Sequence, residues 1–462
     1  HPNGQWLFYG ANVDDEGQAI EPTWLHRHDL TTGRRTAIAR PPAGGFYSLK
    51  LNAQGTHLLY SRQAENPAGR QVWMVDVDGR DDRQIYSAGE DAKASGGWLP
   101  DGRRVLLLAD AASHRRVGVW DSGEIRCLID DPARNVERAF VPQGSQEPLA
   151  VVVEFVGGRQ RVSLLDLESG VETSLPELPG GFVPLRLLAD GAGIAEYFSS
   201  TQPADVVHFN LNDLRPEAFT SLSRVWERTE LRASDLAPAE DFRWRSVDGL
   251  AIQGWLYRAQ EPRGTIVHIH GGPTALAEDR LNAEMQFYVS QGFNVLVPNY
   301  RGSTGFGLEF QEAIKADGWG GREQDDIRTG IEALIAAGVA EPGRVGVTGT
   351  SYGGYSSWCQ ITRCPPELVA AAAPICGMTD LVVDYETTRP DLRPYSEEMI
   401  GGRPDQAPER YRERSPIHFV GNIHGRLLIV QGLRDPNVTP ENVHAAVGAL
   451  QQHGVEYQVL TF

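Results

Sequence analysis

Residues 344–355 read Arg344-Val345-Gly346-Val347-Thr348-Gly349-Thr350-Ser351-Tyr352-Gly353-Gly354-Tyr355. Val345 to Thr348 has the composition of a short buried strand, and a helix is expected from Tyr355 to Ile361. Between them Gly349-Thr350-Ser351-Tyr352-Gly353 fits G-x-S-x-G, a strand-to-helix turn that carries a nucleophilic serine. A serine hydroxyl is a weak nucleophile, so it must project from a sharp turn toward a base. Strand and helix cross closely there, and side chains at 349 and 353 would collide with backbone. The helix that follows directs its amides and its positive end at a forming oxyanion. A chance Gly/Ser turn would need neither the strand before nor the helix after. Ser351 is the expected nucleophile.

Around this turn the pattern is strands alternating with helices, the mark of a mostly parallel sheet. Strands are predicted at Thr265–His270, Asn294–Pro298, Val345–Thr348, Ala370–Ala373, Leu427–Val430 and Tyr457–Phe462. Helices are predicted at Ala277–Gln291, Gln324–Ala336 and Glu441–His453. A hairpin from Phe242 to Tyr257 opens this unit. The fold predicted for it is an α/β-hydrolase.

Three further parts follow from the chemistry. His270-Gly271-Gly272-Pro273 ends the first strand, and glycines there leave amides unencumbered; Gly271 or Gly272 is the expected partner of the Tyr352 amide in an oxyanion hole. His270 precedes the serine in chain order, so it is expected to orient this loop rather than act as base. The acid is expected after the next-but-one strand, where Gln431-Gly432-Leu433-Arg434-Asp435-Pro436 puts Asp435 in a tight turn; Asp380 and Asp384 are its rivals by order. The histidine of such a triad follows the last core strand. His418, His424, His444 and His453 all precede Tyr457–Phe462. The native chain is therefore expected to continue past Phe462 to that histidine and a closing helix.

The first half repeats instead. Turn-glycine-strand segments begin at Gly4, Gly55, Gly102, Gly144 and Gly191, at intervals of 42 to 51 residues, most followed by a second strand and turn. Two hairpins per such period make a four-stranded propeller blade. A sandwich has no reason to keep the period. Residues 1–228 are read as a β-propeller with about five visible blades, incomplete at its start, and residues 229–462 as the α/β-hydrolase domain, incomplete at its end. The acidic pairs Asp14-Asp15, Asp81-Asp82 and Asp130-Asp131 read as solvated turns.

The net charge of −18 argues against nucleic acid and against an anionic membrane surface as partners. No apolar run of membrane-spanning length is present. Cys127, Cys359, Cys364 and Cys376 form no metal-binding spacing, so no metal or cofactor is expected. Sparse cysteine suits a reducing, cytoplasmic setting, with a lost leader left open. Homo-oligomerisation stays open as well.

Several stretches in order resemble the prolyl oligopeptidase family of serine peptidases: His270-Gly271-Gly272-Pro273, Asn299-Tyr300-Arg301-Gly302-Ser303-Thr304-Gly305-Phe306-Gly307, Gly349–Gly354, Tyr411-Arg412-Glu413-Arg414-Ser415-Pro416-Ile417, and Gln431-Gly432 through Asp435 to Val438. His270-Gly271-Gly272-Pro273 looks most like the acylaminoacyl-peptidase branch. The resemblance implies a propeller ahead of the hydrolase and cleavage of short peptides, acylaminoacyl-peptidase or aminopeptidase-like, because the propeller roofs the site. It implies that Asn437 binds a substrate carbonyl and that Ile375, Met378, Leu381 and Tyr385 lie near the pocket before the scissile bond. An apolar segment of this kind is otherwise core. The alternatives are an esterase or specialised amidase or isopeptidase, and a binding protein that has lost catalysis.

Overall fold

Two kinds of sheet divide the chain. The computed structural model describes residues 1–42, 45–63 and 69–462, with every side chain among them except Glu21, Phe46 and Tyr47. Before residue 222 lie five small antiparallel sheets in chain order, one of three strands (Trp6–Val13 to Arg35–Ala39) and four of four. Their boundaries follow the glycine period read from the sequence.

Alternation along single strands explains how these sheets assemble. Successive side chains of a strand point to opposite faces. In His57–Gln63, Leu58 packs with Leu25 and Ile38 of the sheet before, whereas Leu59 packs with Val105 and Leu107 of the sheet after. In Val105–Asp110, Leu106 packs forward against Ala150 and Val152, and Val105 and Leu107 pack backward. In Leu149–Val156 the neighbours divide likewise, with Val151 and Val153 facing Phe182 and Phe209 of the fifth sheet. Every intervening sheet is buried on both faces, which is how blades stack in a propeller.

From Glu240 onward one eight-stranded sheet takes over. In spatial order its strands are Glu240–Arg245, Ala251–Tyr257, Phe293–Asn299, Gly264–Ile269, Val345–Thr350, Ala371–Ile375, Arg426–Gln431 and Gln458–Thr461. The first three pair antiparallel and the rest are parallel, with helices between them. Parallel sheets carry their chemistry at the carboxyl ends of the strands. His270, Ser351, Cys376 and Gly432 all sit at that edge.

Two predicted helices change. The predicted Ala277–Gln291 helix begins only at Ala283, because Asn282 caps it by accepting the amides of Glu284 and Met285. Residues 277–280 are used in loop contacts instead. The Ala277 amide reaches Asn299 Oδ1 at 2.8 Å, and Asp279 accepts the amides of Gly180 at 3.2 Å and Ser200 at 3.0 Å from the fifth sheet. The helix after the serine runs longer than predicted, from Tyr352 to Arg363, with Tyr352 to Thr362 all buried.

The Asp279 contacts belong to a seam between the two halves. Glu137 of the fourth sheet accepts the Gly305 amide at 2.9 Å and pairs with Arg115. Arg115 also donates to Gln311 of the hydrolase half, and Arg280 pairs with Glu196 at 3.1 Å. Among the described residues no helix is long and apolar enough to cross a membrane.

Candidate active site

Ser351 is held in a conformation that non-glycine residues avoid, with φ 59° and ψ −119°. Such strain persists only where the surroundings over-determine it. Here the Ser351 amide donates to Ile375 O at 3.0 Å and its carbonyl accepts from Tyr355 at 2.9 Å, opening the helix. Glycines make the crossing close. A methyl group at Gly349 or Gly353 would overlap the Ile269 carbonyl oxygen, and one at Gly354 would lie 2.5 Å from Ile375 O. The serine side chain is exposed.

Across from it stands the His270-Gly271-Gly272 loop. A Cβ on Gly271 would lie 3.6 Å from Ser351 Cβ and 2.9 Å from Thr350 O, so only glycine fits there. Among the described residues no acceptor takes the amides of Gly271, Gly272 or Tyr352. Three unspent donors thus lie in the Ser351 turn and the loop across from it. His270 is engaged: Nδ1 donates to Gly271 O at 2.8 Å, Nε2 lies 3.0 Å from Ser303 Oγ, and the ring stacks on Tyr300 at 4.4 Å. Burial holds its pKa down at about 4, so the ring is neutral near pH 7. Tyr300 also donates to His270 O at 2.8 Å.

Asp435 follows the Arg426–Gln431 strand, two strands beyond the serine in sheet order. Its Oδ1 accepts the amides of Asn437 at 2.9 Å and Val438 at 3.2 Å, an Asx turn that closes the loop on itself. The Gln458–Thr461 strand ends against this loop, with the Leu433 amide donating to Phe462 O at 2.9 Å. Among the described residues no histidine hydrogen-bonds Ser351 or Asp435. Asn437 is exposed beside the acid.

The apolar residues divide. Met378 and Leu381 are 5% and 1% exposed and pack within the hydrolase core. Ile375 is partly exposed at the strand end next to Ser351, and Tyr385 packs on the core with its hydroxyl donating to Glu397. A concavity of about 1240 Å³ lies elsewhere: it takes in Gly346 and Val347 from the start of the strand, with His424 and His453. It holds none of the residues above.

Residues 279–462 match the prolyl oligopeptidase family. That match covers most of the hydrolase half of the chain. Among curated relatives it is 24% identical to dipeptidyl aminopeptidase BIII of Pseudoxanthomonas mexicana, over 95% of this chain and 65% of that protein. It is 30% identical to acylamino-acid-releasing enzyme 1 of Oryza sativa subsp. japonica, over 79% of this chain and 44% of that one. The chain thus spans less than two thirds of either relative. Among solved structures, a puromycin-hydrolyzing peptidase of Mycobacterium tuberculosis superposes with a TM-score of 0.80 at 23% identity, covering 100% of this chain and 74% of that one. This likeness establishes the shared fold, small antiparallel sheets followed by the family's hydrolase domain.

The structure also brings forward residues that the sequence reading passed over. Arg301, quoted only as part of a matching stretch, is 2% exposed and makes a two-pronged pair with Asp326, itself 0% exposed, at 2.9 and 2.8 Å. It also donates to both oxygens of Asp248. That anchor fixes the loop from which Tyr300 braces His270. Glu323 lies fully buried beneath the serine turn, its Oε1 accepting the Tyr352 hydroxyl at 2.9 Å, Gln324 Nε2 at 3.0 Å and the Gly320 amide at 2.5 Å. Burial pushes its pKa up.

Cys376 is the other omission. It adopts φ 44°, is 6% exposed, and its Sγ accepts the Gly432 amide at 3.4 Å. Burial first, then the neighbouring Asp435 carboxylate, raises the thiol pKa. The positive φ carries no sequence signal in a cysteine.

Proposed function

We propose that this protein is a serine peptidase acting on short peptides through an acyl-enzyme. The carrying observation is the group of unspent amides at Gly271, Gly272 and Tyr352 around an exposed, strained serine. In this reading Ser351 Oγ attacks the scissile carbonyl carbon while a base takes its proton. The carbonyl oxygen gains negative charge, and the Tyr352 amide with that of Gly271 or Gly272 stabilises it. The amine leaves with the base's proton, and water then releases the acyl group.

Asp435 is proposed to fix the base's orientation. The base is proposed to be a histidine after the last core strand, where the fold's chain order puts it. The path of that strand supports this, because its end hydrogen-bonds the Asp435 loop. Asn437 is proposed to hold a substrate carbonyl and Ile375 to border the pocket.

Relatives named for releasing acylamino acids and for dipeptidyl aminopeptidase activity, and a neighbour named for hydrolyzing puromycin, support small amide substrates. The stacked sheets packed on the hydrolase support exclusion of folded proteins. Four free cysteines support a cytoplasmic setting.

The test compares N-acetyl-aminoacyl, free-amine and ester chromogenic substrates of one side chain. Amide turnover lost in Ser351→Ala is the expected result. Ester turnover without any amide turnover would transfer the protein to the esterases.

A further inference from the structure

Beside the helix that carries Glu323 is a pocket of about 340 Å³ whose lining includes four arginines, Arg322, Arg328, Arg363 and Arg414, with Asp317 and Asp325. Two are matched by carboxylates. Arg322 pairs with Asp317 and, at 3.1 Å, Asp248; Arg328 pairs with Asp325 at 3.0 Å and with Glu332. The other two are not. Among the described residues Arg363 and Arg414 have no salt-bridge partner, and both donate through Nη1 to one acceptor, Gly320 O, at 2.7 and 2.9 Å.

Sharing one carbonyl oxygen forces two like charges side by side, an arrangement that disfavours itself unless a counter-charge joins it. Among the described residues Glu323, the carboxyl behind Gly320, takes the Tyr352 hydroxyl, Gln324 and the Gly320 amide on Oε1, its buried Oε2 has no hydrogen-bond partner, and neither oxygen pairs with these guanidinium groups. Arg414 Nε is buried without a hydrogen-bond partner, so this guanidinium has donor capacity left over. The whole chain carries a net charge of −18, which makes a local excess of positive charge a departure from its general surface.

We propose that the pocket binds a phosphate group, presented as free phosphate or on a small phosphomonoester, through Arg363 and Arg414. The planar fork of a guanidinium donates two parallel bonds to a tetrahedral oxyanion, and two forks match its four oxygens and double charge. The volume admits a small phosphorylated molecule. The pocket floor is the Gly320 backbone, one hydrogen bond from Glu323 and two from Tyr352, so the site adjoins the serine turn without containing any residue of it.

The experiment titrates the wild-type protein with inorganic phosphate at constant ionic strength, following ³¹P line width and thermal midpoint, with acetate as the control anion. Saturable broadening and a matching rise in midpoint are expected with phosphate and not with acetate. Arg363→Gln/Arg414→Gln should weaken binding at least about tenfold, since charge-assisted bonds are lost. Arg363→Lys, the safer variant for folding, should weaken it less while leaving circular dichroism unchanged. Glycerol phosphate distinguishes the sources: tighter binding than free phosphate assigns the site to phosphomonoesters, weaker binding to the free ion. Absence of saturation in the wild type, or equal affinity in the folded Gln and Lys variants, overturns the proposal.

Discussion

The Ser351 turn and the Asp435 loop both follow parallel strands of one sheet, yet they are held by different means. Around Ser351 the constraint is main chain against main chain: glycines at 349, 353 and 354 press on the carbonyls of Ile269 and Ile375. Behind it the helix is buried from Tyr352 to Thr362. Around Asp435 side chains carry more of the constraint, beside the main-chain bond from Leu433 to Phe462 O. Leu433, Arg434, Pro436 and Asn437 are exposed, and the loop is secured by Cys376 Sγ on the Gly432 amide, by Thr388 Oγ1 on Asn437 O at 2.7 Å, and by its own Asx turn. A position fixed by packed backbone tolerates no added atom, whereas one fixed by single polar contacts can be weakened in steps.

That difference sets the largest expected effect. Gly353→Ala puts a methyl group onto Ile269 O, where neither the strand nor the helix can retreat, and should cost about 3 kcal/mol or more in urea unfolding, with activity lost. Gly432→Ala at the acid loop meets only ordinary contacts, 3.6 Å to the Phe462 ring, and should cost under about 1 kcal/mol. Equal costs at the two sites would erase the contrast.

Cys376 tests the side-chain half. Cys376→Ala removes the acceptor of the Gly432 amide and the neighbour of Asp435, and should cost about 1–2 kcal/mol. It should lower kcat about tenfold with KM unchanged, as an interaction exerted through the acid would. Cys376→Gly relieves the 44° φ and should regain about 1 kcal/mol of stability without restoring kcat. Recovery of kcat in the glycine variant would assign the effect to backbone strain.

These residues also mark what sequence reading reaches. The close crossing at the Ser351 turn was legible because it demands glycine, and the fold's chain order limited where an acid was to be sought. The propeller was legible because its turns repeat. Cys376 and Glu323 were not, since their partners, Gly432 and Tyr352, are brought together only by the folded sheet. Met378 and Leu381 went the same way: an apolar residue near a strand end reads alike as pocket and as core until its neighbours are known.

A pH-dependent effect concerns Asp384, buried near the Asp435 loop. Burial, and next the nearby Asp435 charge against the donation from Asn442, leave its pKa raised to about 7. A folded-state pKa above the unfolded value means this group's contribution is fully present in acid and lost as pH rises toward 7 and beyond. Asp384→Asn should match wild type near pH 4 and exceed it by about 1–2 kcal/mol near pH 8. A constant difference across that range would show that the carboxyl does not titrate there.

His270 runs the opposite way. Its pKa is depressed to about 4, so the stability it contributes is present above about 6.5 and lost as pH falls through 4. His270→Gln should flatten that acid limb, as read from urea midpoints between the two pH values.

The most direct measurement is labelling with an organophosphonate, read by peptide mass spectrometry in the wild type and in Ser351→Ala. The account predicts one adduct, on Ser351, whose formation is abolished by the substitution while the thermal midpoint stays unchanged. An adduct on another serine, or labelling that survives Ser351→Ala, would contradict it.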